Sequence, residues 1–171
     1  LDPAIEQRLD RLAAQTGRTK AYYLRELVAN GMDDLEDYYA AAATMERVRE
    51  AIAAAPVDLA LGGWGQDGHV AYNQARRHPF LRIGLEQLAA STVRIQENNL
   101  DTILALAQRT FGSAYQFAPP MSVTLGMREC LSASKVRVFS DTGSWKQTAL
   151  RVALFSEPVA EYPVTLLQRH K

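Results

Sequence analysis

The chain has 171 residues, 47% of them hydrophobic, and its 19 lysines and arginines balance 19 aspartates and glutamates. That is enough apolar material for one medium domain or two small ones, and too even a charge for a generally basic nucleic-acid binder. The single cysteine, Cys130, excludes an intrachain disulfide framework and reads as a packing residue in a reducing compartment. No apolar run reaches the length of a membrane span, and no basic-then-apolar leader opens the chain, so a cytoplasmic protein without a membrane partner is expected. The first residue is Leu1 rather than methionine, and further residues upstream are expected.

Residues 1–50 read as helical and carry about three more acids than bases, the remainder about three more bases than acids. Asp2-Pro3 starts the first helix, with proline where its missing amide is harmless. Ile5, Leu9, Leu12 and Ala13 form its apolar stripe, Gly17 breaks it, and Thr19 is a good N-cap for a second helix from Lys20. That helix carries Tyr22, Tyr23, Leu24, Leu27, Val28 and Leu35, more apolar surface than one short helix covers, so a homo-oligomer is expected. The alanine-rich segment 35–49 either continues the helix or forms an arm for another protein.

The character changes at 51–55. Val57-Asp58-Leu59-Ala60-Leu61, bounded by Pro56 and Gly62, reads as a buried parallel strand. It feeds a glycine-rich turn, Gly63-Trp64-Gly65-Gln66-Asp67-Gly68-His69-Val70-Ala71-Tyr72-Asn73-Gln74. Polar groups at the C-terminal end of such a strand face a crevice in open α/β sheets. A carboxylate two residues before an imidazole can orient the ring and support its charged form, which makes Asp67 and His69 a candidate proton-transfer pair. The same spacing equally fits a turn whose aspartate caps a helix and whose histidine is merely exposed. Further on, 136–139 is β-rich, Asp141-Thr142-Gly143 reads as a turn, and 145–155 has helical spacing in Ala149, Val152, Ala153 and Leu154.

Two resemblances add to this reading. Leu1-Asp2-Pro3-Ala4-Ile5-Glu6-Gln7-Arg8-Leu9-Asp10-Arg11-Leu12-Ala13, followed by Thr16-Gly17-Arg18-Thr19-Lys20-Ala21-Tyr22-Tyr23-Leu24-Arg25-Glu26, resembles ribbon-helix-helix antitoxins of the RelB/DinJ type. The resemblance implies a DNA-binding, toxin-neutralising dimer, with Arg18, Thr19 and Lys20 at the position that clamps a DNA phosphate. The reading strand that would precede Leu1 is absent from the sequence, so phosphate contacts without base contacts are expected. The same fifty residues also read as a plain helical dimerisation element.

The stretch 56–170 is similar to the glucosamine-6-phosphate deaminase and isomerase family, which includes the 6-phosphogluconolactonases. The glycine-rich turn carries the family signature. Val93-Arg94-Ile95, Ser122-Val123-Thr124-Leu125-Gly126-Met127, Lys135-Val136-Arg137-Val138-Phe139, Gly143-Ser144-Trp145-Lys146 and Pro163-Val164-Thr165-Leu166-Leu167-Gln168-Arg169-His170 follow in the family's order. The resemblance implies a sugar-phosphate substrate, no cofactor, no metal, and ring opening assisted by Asp67 and His69. It places Arg94 and Lys146 on the substrate phosphate; alone, they read as a surface arginine on a strand-like segment and a solvated lysine. Gln74 stands where the family has a glutamate, and cannot ionise. Gly84 replaces a basic residue that binds an effector phosphate in deaminases, so control of that kind is not expected. No counterpart of the family's N-terminal half, with its proton-moving carboxylate, is found in residues 1–50.

The expected fold is therefore α/β: a partial Rossmann-like parallel sheet with helices over 56–171, an all-α ribbon-helix-helix-like segment over 1–50, and a junction at 51–55. Such a half sheet exposes an edge and an apolar face. The expected function is that of an isomerase or deaminase domain, incomplete and weakly active or inactive. The alternatives are a DNA-binding repressor and a non-functional fusion of the two.

Overall fold

A computed structural model of the chain describes residues 1–76, 80, 82–140 and 143–171. The chain divides into two compact units, Leu1–Ala42 and Ala43–Lys171. The division falls within a helix rather than at the expected junction, because residues 35–54 continue the second helix without a break.

The first unit is helical. Helix α1 (Pro3–Thr16) is capped by Asp2, whose side chain accepts from the Ala4 amide at 2.8 Å, and ends at Gly17, whose φ of 70° suits a residue without a β-carbon. Helix α2 (Lys20–Ala54) starts at Thr19, whose hydroxyl accepts from the Tyr22 amide at 3.1 Å. Tyr23 donates to Thr16 at 2.6 Å across the turn between the helices. Leu9 is buried, whereas Leu27, Val28, Met32, Leu35, Tyr38 and Tyr39 are all exposed.

The second unit mixes strands and helices. Strand β1 (Leu59–Gly63) pairs in parallel with β4 (Lys135–Phe139), in a register that sets Leu59 opposite Lys135 and Gly63 opposite Phe139. Between them in sequence lie α3 (Leu85–Ala89), β2 (Arg94–Glu97), α4 (Leu100–Thr110), β3 (Met121–Thr124) and α5 (Met127–Ser132). Strands β2 and β3 form a separate antiparallel ribbon, a pairing the sequence reading did not foresee. The Asn99 side chain caps α4 on the Thr102 amide. After β4, a 3-10 turn (Ser144–Lys146) leads into α6 (Gln147–Phe155), and a second 3-10 segment (Pro163–Arg169) closes the unit. The core gathers Val70, Leu88, Met127, Cys130, Val164 and Leu166.

Three expectations need adjusting. The strand expected at 57–61 runs over Leu59–Gly63 and is parallel, but it is exposed rather than buried: Leu61 keeps 63% of its surface and Phe139 61%. Among the described residues β1 pairs with β4 alone, so nothing covers the outer apolar side chains of this two-stranded sheet. The helix expected from Trp145 begins at Gln147, after the 3-10 turn. Of the turn read at Asp141-Thr142-Gly143, the first two residues lie outside the described residues. Among the described residues, no helix is long and apolar enough to cross a membrane.

Candidate active site

The loop after β1 folds back on itself. The Gly65 amide donates to the His69 carbonyl at 2.9 Å and the Gly68 amide to the Gly65 carbonyl at 3.0 Å. The glycines are required by geometry. A β-carbon on residue 65 would sit 2.1 Å from His69 Cε1, and Gly68 has a φ of +80°. The tight turn brings Asp67 and His69 together: Asp67 Oδ1 lies 2.6 Å from His69 Nδ1 and also accepts from the His69 amide at 3.4 Å. Asp67 serves its neighbouring imidazole rather than a helix.

Burial alone would raise the Asp67 carboxyl above its ordinary value of 3.8, but hydrogen bonding and charge from His69, with help from the Asn99 amide, bring it down to about 2. Asp67 is thus an anion near neutrality. With Nδ1 engaged by that anion, Nε2 is the ring nitrogen left to exchange a proton. The Tyr72 ring lies over the imidazole at 5.9 Å between centroids and 23° between planes.

Both residues open on a cleft of about 1230 Å³ in the second unit, walled by the last turns of α2, by β1, α4, α5 and the turn at Trp145 and Lys146. Lys146 is buried beside this cleft. Its ammonium lies 5.3 Å from the Trp145 ring centroid, and the Arg109 guanidinium, in the last turn of α4, lies 3.9 Å from the same centroid. Two cations therefore meet on one indole, a basic corner suited to an anion.

Arg94 is not part of that corner. It lies outside the cleft lining, and its guanidinium donates to the Thr92 carbonyl at 3.2 Å, to Asn73 Oδ1 at 2.8 Å, and to the Gln96 side chain. Asn73 is fully buried, and its amide also donates to the carbonyls of Val70 and Leu125 at 3.0 and 2.8 Å. Arg94 and Asn73 thus tie the signature loop to the β2–β3 ribbon. Gln74, at the third position of the acid/base set, is buried and turned to Asn99 and Thr102, not to His69. Arg109 and Asn99 were missed in the sequence. An asparagine before an apolar helix signals a cap, but nothing local signals its contact with Asp67.

In the first unit, Arg18 lies over the Tyr22 ring at 5.1 Å and Thr19 caps α2. Lys20 is held by Asp10 at 2.5 Å and Glu6 at 3.5 Å. The three residues assigned to a DNA phosphate are therefore neighbours, and each already has a partner within the chain.

No protein-family model matches the chain. Among curated proteins it is 33% identical over 115 residues to glucosamine-6-phosphate deaminase of Caenorhabditis elegans, covering 67% of this chain and 39% of that protein. It is 32% identical over 143 residues to the glucosamine-6-phosphate deaminase of Parabacteroides distasonis, covering 84% of this chain and 47% of that one. A match of that length in 171 residues must begin by residue 29, inside α2 and upstream of the boundary expected at Pro56. The chain thus spans about half the length of the curated relatives it matches, or less. A solved structure of a monomeric glucosamine-6-phosphate deaminase, described as a missing link of the NagB superfamily, superposes with a TM-score of 0.63 at 21% identity, over 76% of this chain and 49% of that one. That likeness shows the fold. The curated relatives support the glucosamine-6-phosphate deaminase and isomerase family for this chain.

Proposed function

We propose that residues 43–171 carry a sugar-phosphate site of the isomerase and deaminase type, in which His69 and Asp67 open the sugar ring and Lys146 with Arg109 holds the phosphate. The observation that carries this reading is the 2.6 Å Asp67–His69 pair, set in the same cleft as two cations. Opening a pyranose ring takes a proton from the anomeric hydroxyl and delivers one to the ring oxygen. An imidazole with Nδ1 fixed on a carboxylate performs both transfers at Nε2, with Asp67 supporting the charged form between them. A phosphate at the basic corner supplies the binding energy that orients the sugar. Geometry favours Arg109 over Arg94 there, since Arg94 is committed to Asn73 and Gln96. Gln74 adds no charge, and Asp67 is the carboxylate bonded to the imidazole. The names of the curated relatives point to glucosamine 6-phosphate as the first substrate to try.

The test is ammonia release from glucosamine 6-phosphate by the full chain and by His69→Ala. The substitution is expected to lower the rate by about 10²- to 10⁴-fold. A parent chain no faster than His69→Ala sinks the reading. The alternative, phosphate-backbone binding of DNA through Arg18, Thr19 and Lys20, is tested by a gel-shift titration at low salt. It ends if no shift occurs, or if Arg18→Ala and Lys20→Ala leave the shift unchanged.

A further inference from the structure

The hydrogen bonds behind Asp67 give Gln74 and Asn99 linked positions. Gln74 Nε2 donates to Thr102 Oγ1 at 2.6 Å, and its Oε1 accepts from the Asn99 backbone amide at 2.6 Å, so both ends of the Gln74 amide are used at the start of α4. Asn99, fixed there, divides its own side chain. Its Oδ1 accepts from the Thr102 amide at 3.1 Å as the helix cap, while its Nδ2 donates to Asp67 Oδ2 at 3.0 Å. Since Asp67 Oδ1 holds His69, the carboxylate is gripped on both oxygens and cannot turn about its terminal bond without breaking one contact. Serine or aspartate caps a helix about as well as asparagine does. Of these side chains only asparagine has, besides the capping oxygen, an amide that can donate to a neighbouring carboxylate.

We propose that Asn99 is a positioning residue of the acid/base pair, its side-chain amide, anchored through Gln74, holding Asp67 in the orientation that presents His69 to the cleft. The proposal rests on the reading of Asp67 and His69 as that pair. It assigns the glutamine at the third position a mechanical task in place of an electrostatic one.

Asn99→Ser and Asn99→Asp test it, because both keep an oxygen for the Thr102 amide and both remove the donor to Asp67. The other charged or titratable groups lining the cleft are Arg47, Tyr72, Asp101, Arg109, Glu129, Cys130 and Lys146, and neither change replaces any of them. Carboxyl-carbon NMR of the full chain reads the Asp67 titration directly, and thermal unfolding reads the cap. The expected result is an Asp67 titration raised by about 1 pH unit in Asn99→Ser and by more in Asn99→Asp, where a second carboxylate faces the first, with little change in melting temperature. With glucosamine 6-phosphate, kcat falls roughly tenfold while KM holds. An Asp67 titration in Asn99→Ser that matches the parent overturns the proposal, since a role confined to capping predicts that match. Should no variant or parent turn over the sugar phosphate, the deaminase reading fails and the titration alone decides the positioning role.

Discussion

The two units of this chain use polar groups in opposite ways. In Leu1–Ala42 they lie at the surface, as the Asp2 and Thr19 caps and the exposed pairs of Lys20 with Asp10 and Glu6, while a broad row of apolar side chains on α2 also faces outward. In Ala43–Lys171 they are buried: Asp67, Asn73, Gln74, Gln96, Asn98, Thr102 and Thr124 all lie inside. Surface pairs and caps define local geometry and contribute little else, whereas buried polar groups are costly unless every one is matched, which makes the arrangement that matches them all unique. The second unit therefore has its polar side chains fixed around a cleft. In the first they stay at the surface.

The contrast can be broken first at Asn73. Asn73→Ala strips partners from the Val70 and Leu125 carbonyls and from Arg94, and is expected to destabilise the second unit by about 3 kcal/mol. Chemical denaturation followed by the fluorescence of Trp64 and Trp145 measures it. A loss below about 1 kcal/mol would mean that the buried network is dispensable and the contrast is false. In the first unit the corresponding change is Leu9→Ala, expected to cost about 2 kcal/mol and to show as lost helical circular dichroism with the cleft intact. A smaller effect is expected in acid. Because the folded Asp67 carboxyl is lowered from 3.8 to about 2, its stabilisation is complete above the ordinary value and is lost as pH falls through about 2. Asp67→Asn should flatten that part of the stability profile of the second unit, and an unchanged acid limb would show that the His69 contact adds nothing to folding.

What the sequence revealed follows the reach of its signals. Asp67 and His69 stand two residues apart inside one turn, beside glycines that permit their contact, so the pair was legible as a candidate, with a capping aspartate and an exposed histidine fitting the same spacing equally well. The helix start at Asp2-Pro3, the cap Thr19 and the stop at Gly17 were legible for the same reason. Strand β1 was legible as a strand; its apolar run alone read as buried, and only the missing half of the sheet pointed to the exposed face that Leu61 and Phe139 show. Arg94, the expected phosphate residue, lies against Asn73 and outside the cleft lining. No spacing rule distinguishes a strand arginine that turns inward to a loop from one that faces a cleft. Arg109 and Asn99 were invisible, since their partners Trp145 and Asp67 lie more than thirty residues away along the chain.

Asn99 and Arg109 also share a helix, and that has a geometric consequence. The cap of α4 touches Asp67, and its last turn reaches the indole beside Lys146. Ten residues of α-helix separate them, about 15 Å along the axis. The helix fixes the distance between the Asp67–His69 pair and the corner formed by Trp145 and Lys146. A residue added to or removed from α4 would alter that span by only about 1.5 Å but would turn one end about 100° away from the other. The span between the two ends is thus set by a count of residues in one helix, which tolerates no small error in that count.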